Sequence, residues 1–192
     1  MIIGIDISQL AYENTGVANF ISELVENLVK HDSRNQYVLF YSSLRKNFKF
    51  QISNFKSKPN VKIKTFKFPP TLLDLLWNKL HLAPIEWFIG DVDVFITSDW
   101  TQPPTKRAKK VTIIYDFIAY KYPHETHDVT EFDLRKLIIY PNIVEVQKRC
   151  HKWIKKECDK VFCISESTKK DAVDILGLDP NKIKVLYPGV SS

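Results

Sequence analysis

Glycine is scarce in this chain, with five in 192 residues, and none of the five falls into the GxGxxG spacing that lets a backbone wrap a dinucleotide pyrophosphate. A dinucleotide site of that kind is excluded. The three cysteines, Cys150, Cys158 and Cys163, are odd in number and lack CxxC spacing. That argues against a disulfide framework and a zinc ribbon, and predicts reduced thiols in a cytoplasmic protein. No apolar run approaches the length of a membrane span. Met1-Ile2-Ile3 opens directly into a strand, without the basic region and apolar core of a signal peptide. His124-Glu125-Thr126-His127 is one residue short of HExxH and has no third ligand cluster, so no metal is expected. Internal repeats and low-complexity segments are also missing.

What is present suits one folded domain. Hydrophobic residues make up 44% and charged residues 26% of the chain, ordinary values for a globular protein. The length is too short for two full α/β domains. The net charge of +6, with a pI near 9.1, favours a polyanionic partner: nucleic acid, anionic lipid head groups or phosphorylated glycans. Aromatic residues do not alternate with the lysines as they do on a single-strand-binding platform, and no nucleic-acid motif is recognisable.

Short apolar runs rich in branched residues recur at Ile2 to Asp6, Gln36 to Ser42, Val61 to Phe66, Val92 to Thr97, Val111 to Tyr115, Val161 to Ile164 and Ile183 to Tyr187. These read as strands, those at Ile2 to Asp6, Val161 to Ile164 and Ile183 to Tyr187 being of the kind buried on both faces of a parallel sheet. Helical patterns lie between them, at Val17 to Val29 with Phe20, Leu24 and Leu28 on one face, and over Thr130 to Glu157, broken near Pro141. In the second, Ile143, Val146, Cys150 and Trp153 face inward, while His151, Lys152, Lys155 and Lys156 are expected largely on the exposed side. Strand and helix in alternation predict a Rossmann-like, doubly wound, mainly parallel sheet with helices on both faces. Leu72 to Ile89, interrupted by Pro84, reads as a helical pair packed on that sheet, or as an interfacial surface, because Trp and Phe beside lysines suit lipid head groups.

The last stretch, Asp159 to Val190, is the most ordered in pattern. Ser165 suits an N-cap, Glu166 puts negative charge in the first helical turn, and Gly177 closes the helix. A strand ending in Ser-Glu-Ser, a helix ending in Leu-Gly-Leu, then Pro-x-Lys-Ile-x-Val-x-x-Pro-Gly-Val resembles the end of the acceptor-side domain of glycosyltransferase family 4, the retaining GT-B enzymes. Thr15-Gly16 and Ile113 to Asp116 carry the same resemblance. It implies that residues 1–190 are the N-terminal domain, one half of a GT-B fold, with the C-terminal donor-binding domain absent from the chain.

The implied activity is transfer of a hexose from a nucleotide sugar to a glycan or lipid-linked acceptor, as in polysaccharide biosynthesis. No cofactor is implied beyond the nucleotide sugar as substrate. This half alone is expected to be weak or inactive, working in the cytoplasm with possible peripheral contact at the inner face of a membrane. A non-catalytic carbohydrate or nucleotide-sugar binding module is the alternative. In the family, a glycine-containing turn approaches the donor diphosphate, which assigns Thr15 and Gly16 to that contact, with Ser165 and Glu166 presenting a second helix N-terminus. Where the family reads His-Asp, this chain reads Tyr115-Asp116, so no imidazole is carried over. Tyr115 is then a candidate for a sugar hydroxyl, Asp116 for orienting the acceptor, and His124 for a contact from the following loop. The bare alternatives are that Asp116 caps a turn and Ser165 caps a helix. The family's basic residue after Gly-Ile-Asp is replaced by Ile7-Ser8.

Overall fold

The computed structural model describes residues 1–44, 58–122 and 143–189. His124, and the part of the long helical pattern before residue 143, lie outside the described residues. Seven parallel strands form one sheet: β1 (Ile2–Asp6), β2 (Gln36–Ser42), β3 (Val61–Phe66), β4 (Val94–Ser98), β5 (Lys109–Ile114), β6 (Lys160–Cys163) and β7 (Ile183–Val185). Their spatial order is β3-β2-β1-β4-β5-β6-β7, so the chain winds outward from β1 on one side and then returns to build the other. Every neighbouring pair is parallel.

Alternation along the strands sorts side chains onto two faces. Tyr37, Leu39, Tyr41 and Ile113 pack with Ile21, Val25 and Val29 of helix α1 (Gly16–His31). Val38, Phe40 and Phe95 turn the other way, against Leu73, Trp77, Ile85 and Ile89. These come from α2 (Pro70–Leu73), its continuation as a π-helical segment (Asp74–Lys79), and α3 (Glu86–Ile89) with Ile85 just before it. The short α4 (Ile118–Lys121) follows β5, and α5 (Ile143–Glu157) and α6 (Glu166–Leu176) flank β6. Ile154 of α5, Ala172 of α6 and Ile114 share a third cluster with Val161 and Cys163. The helical pair expected over 72–89 is thus real on one side and apolar towards water on the other.

His151 is buried, not exposed. Its ring stacks on Phe117 at 5.2 Å, and its Nδ1 is 3.0 Å from the Tyr120 hydroxyl. α5 meets both the sheet and α4, so its buried stripe is wider than a three-and-four spacing suggests. Burial also holds the imidazole pKa down near 4. β7, expected as a buried strand over Ile183 to Tyr187, is instead a short edge strand ending at Val185, with Lys184 and Tyr187 exposed.

Two glycines have separate physical reasons. Gly177 ends α6 at φ 62°, the left-handed conformation of a helix stop. Gly4 lies in central β1, where a Cβ would come within 2.8 Å of the Phe95 ring and 2.9 Å of Ile89. Gly4→Ala should therefore destabilise the domain by about 1–3 kcal/mol through overpacking, read as a lowered urea midpoint at unchanged slope.

Candidate functional site

The outward path ends and the return path begins between β1 and β4, and at such a reversal the connecting loops diverge and leave a crevice beyond the carboxyl ends of the strands. Polar side chains gather at that point. Asp6 closes β1: its Oδ1 accepts from the Ser8 N–H at 2.9 Å and its Oδ2 from the Thr101 hydroxyl at 2.8 Å. Gln9 Nε2 donates to Ser98 Oγ at 2.7 Å. The loop after β1 is thus tied to the loop after β4 by two side-chain bonds.

The loop after β4 is held from below as well. Gln102 Nε2 donates to the Ser98 carbonyl at 2.7 Å and to Thr112 Oγ1 at 3.0 Å, and Thr97 Oγ1 donates to the Thr101 carbonyl at 2.6 Å. Asn78 accepts from the Gln102 N–H at 2.9 Å and donates to the Trp100 carbonyl at 3.3 Å. These bonds fix Asp99 in their midst. Its side chain is buried, yet among the described residues neither carboxylate oxygen has a hydrogen-bond partner. Burial, and then the charge of Asp116, push its pKa up to about 8, and the nearby Tyr115 and Asp99 backbone N–H groups offset only part of this. The Tyr115 hydroxyl is also buried, without a partner among the described residues, and burial with the charges of Asp99 and Asp6 keeps it protonated. At neutral pH this floor presents a neutral carboxyl and a phenol, each able to donate and to accept.

Tyr115 follows β5, and Phe20 of α1 packs edge-on against its ring at 5.6 Å. That contact brings the start of α1 to the same crevice. Thr15 caps α1, its Oγ1 accepting from the Ala18 N–H at 3.2 Å and donating to the Tyr12 carbonyl at 2.8 Å. Gly16 is exposed, and a Cβ there would meet nothing within 4 Å, so packing does not require glycine. Asp116 is exposed beside Tyr115, and its Oδ1 accepts from the Ile118 N–H at 2.9 Å, closing the turn that leads into α4.

α6 also starts here. Ser165 Oγ accepts from the Thr168 N–H at 3.0 Å, and Thr168 Oγ1 donates to the Tyr115 carbonyl at 3.2 Å. Glu166 is exposed and reaches only Lys169, at 3.8 Å. Thr15, Gly16, Tyr115, Asp116 and Ser165 therefore all stand at the carboxyl edge of the sheet, and Glu166 takes no part in the bonds that join them. Asp99 is the residue that sequence reasoning passed over. It stands in the loop after β4, and nothing in the sequence distinguishes a buried unpartnered aspartate from an exposed one.

Two open depressions, of about 200 and 570 Å³, lie at the opposite edge of the sheet, lined among others by Gln36, Asn60, Arg107 and Lys109. They are gaps between strand starts, on the side away from where parallel sheets bind ligands. Among the described residues, no three His, Cys, Asp or Glu side chains converge as a metal site requires.

A parallel α/β sheet with hydrogen-bonding groups gathered at its reversal point belongs to the class of Rossmann-like domains that take ligands at the carboxyl edge. Within that class the chain belongs to Glycosyltransferase Family 4, whose profile matches residues 14–192. Among solved structures, apo UGT2 of Phytolacca americana is similar with a TM-score of 0.52 at 13% identity, over 98% of this chain and 52% of that one. The same protein complexed with UDP-2fluoro-glucose and pterostilbene gives 0.46 at 14% identity over the same shares. This chain thus spans about half the length of these structures, and its fold is one half of a GT-B architecture. No curated protein matches it.

Proposed function

We propose that this chain is the acceptor-side domain, residues 1–190, of a retaining glycosyltransferase that moves a hexose from a nucleotide sugar to a glycan or lipid-linked acceptor, with a C-terminal domain supplying most of the donor grip. The observation that carries the reading is the pair of hydroxyl-bearing groups, Asp99 and Tyr115, buried at the carboxyl edge of the sheet and unpartnered among the described residues. Buried polar groups without partners are costly, and a site that persists with two of them suits a ligand that completes their bonds. Sugar hydroxyls, which donate and accept, match a neutral carboxyl and a phenol better than a cation would.

Each residue then has a role set by its position. The open backbone at Thr15-Gly16 and the positive end of α1 suit the leaving diphosphate. Asp116, exposed at the rim and charged, orients the acceptor hydroxyl and takes part of its developing proton charge. Transfer with retention needs that hydroxyl held on the face from which the diphosphate departs, so a rigid crevice does much of the catalytic work by positioning.

The test uses a polypeptide carrying this chain together with its donor-binding domain, supplied with labelled nucleotide sugar. Asp116→Ala is expected to lower kcat/KM about tenfold or more, the cost of one charged hydrogen bond. Asp116→Asn keeps a cap for the Ile118 N–H, so a matching loss in Asn and Ala variants with unchanged thermal unfolding assigns Asp116 to transfer. Activity retained in Asn and lost only with unfolding in Ala assigns it to the turn. The anomeric configuration of the product, read by NMR, decides between retention and inversion.

A further inference from the structure

The π-helical segment and the turn after it present leucines to water in a fixed arrangement. Leu72, Leu75, Leu80 and Leu82 are 41%, 44%, 55% and 56% exposed, while Leu73 and Trp77 of the same stretch are buried. These leucines are not loose. His81 and Ala83 hold left-handed backbone, at φ 54° and 58°, which non-glycine residues adopt at a cost. The His81 ring is locked 3.5 Å above Trp153, with Nδ1 at 2.9 Å from the Trp77 carbonyl and Nε2 at 2.8 Å from Glu157. Trp77 Nε1 donates to the Ala83 carbonyl at 3.0 Å. Leu80 and Leu82, flanking His81, are therefore held outward by the fold.

Cations rim the same surface. Trp153, under His81, carries Lys152 at 5.5 Å and Lys156 at 4.9 Å over its ring. Among the described residues neither lysine has a carboxylate partner, and Lys79 meets Asp74 only at 3.9 Å. Glu157 is taken up by His81 and the buried Lys110. The face is thus apolar at its centre and positive at its edge, with little opposing charge. We propose that it docks onto an anionic lipid bilayer, the leucines entering the head-group boundary and Lys152 and Lys156 meeting lipid phosphates. Among the described residues no helix is long and apolar enough to cross a membrane, so the contact is peripheral. A protein partner covering this face would need carboxylates at the rim, whereas a bilayer of anionic lipid supplies both the apolar depth and the charge.

The placement has a consequence for the crevice. Asn78, within the docking segment, bonds both Gln102 and Trp100 of the loop that holds Asp99. Docking would therefore bring the crevice close to the bilayer surface, where a lipid-linked acceptor would present its head group.

The experiment is cosedimentation of the 192-residue chain with vesicles of phosphatidylcholine alone, or containing about one-third phosphatidylglycerol. Binding is expected with the anionic vesicles only, and should weaken as salt is raised. Lys152→Gln with Lys156→Gln, and separately Leu80→Ser with Leu82→Ser, should each reduce binding about tenfold or more. All four side chains are at the surface, and circular dichroism confirms the fold of each variant. No binding to either vesicle, equal binding to both, or variants that bind like the parent would overturn the proposal. Because the readout involves no turnover, vesicle binding without transfer leaves the docking face standing, and transfer without vesicle binding removes it alone.

Discussion

Asp99→Asn is expected to make the protein more stable at pH 8, by an amount on the order of 5 kcal/mol. The buried carboxyl has its pKa pushed up to about 8, from 3.8 when unfolded. Between those values the folded state holds a proton that the unfolded state has released. Stability therefore falls as pH rises from about 4 to about 8 and then levels off. Asparagine removes this dependence while keeping a donor and an acceptor of similar size. His151 works in the opposite sense. Its pKa is held down near 4, against 6.5 when unfolded, so it costs stability as pH falls from about 6.5 to about 4. The difference between parent and Asp99→Asn, measured by urea unfolding across this range, isolates the carboxyl because the histidine is common to both. A pH-independent difference would mean that Asp99 is ionised in the folded protein and has found a counter-charge.

Removing Glu157 should cost on the order of 3 kcal/mol, because the loss strands a buried cation. Lys110 is 1% exposed, and its Nζ lies 3.2 Å from Glu157 Oε2. Burial already lowers the lysine pKa, and the Glu157 charge and hydrogen bond are among the influences that hold it up. In Glu157→Ala the ammonium must release its proton or remain unpaired, and His81 loses the carboxylate at 2.8 Å as well. Lys110→Met in the same chain should recover most of the loss, since a buried pair replaced by an apolar side chain of similar volume is often neutral in stability. Urea midpoints of the two single variants and the double variant measure the coupling. Additive losses would show that Lys110 does not depend on Glu157.

The strands were legible because each is a short branched run, and their parallel pairing followed from the helices between them. Edges moved by a residue or two: the fourth strand was placed at Val92 to Thr97 and lies at Val94–Ser98. The cap at Ser165 and the stop at Gly177 were readable from local chemistry alone. The strand order was not. Nothing in Gly-Ile-Asp announces that Asp6 will meet Thr101, a partner 95 residues away. The crevice was visible as loops after strands, yet its floor was not, since the isolation of Asp99 depends on bonds from Asn78 and Gln102 that satisfy its neighbours and leave it out. His151 was misplaced for a related reason, because burial from α4 is a tertiary fact with no signature in the helix itself.

An interior strand of the sheet, β1, is the first to be made, and it acquires its second neighbour late. β1 pairs with β4 across more than ninety residues, and the Ile2 N–H is capped by Asp93. Until β4 leaves the ribosome, β1 has a bare edge able to recruit any extended segment nearby. Long-range parallel pairing of this kind slows folding, because the entropy of closing the loop precedes the contacts that reward it. The interval between synthesis of residue 6 and residue 98 is thus the period in which a nascent chain of this protein is most exposed to misassembly and to chaperone capture.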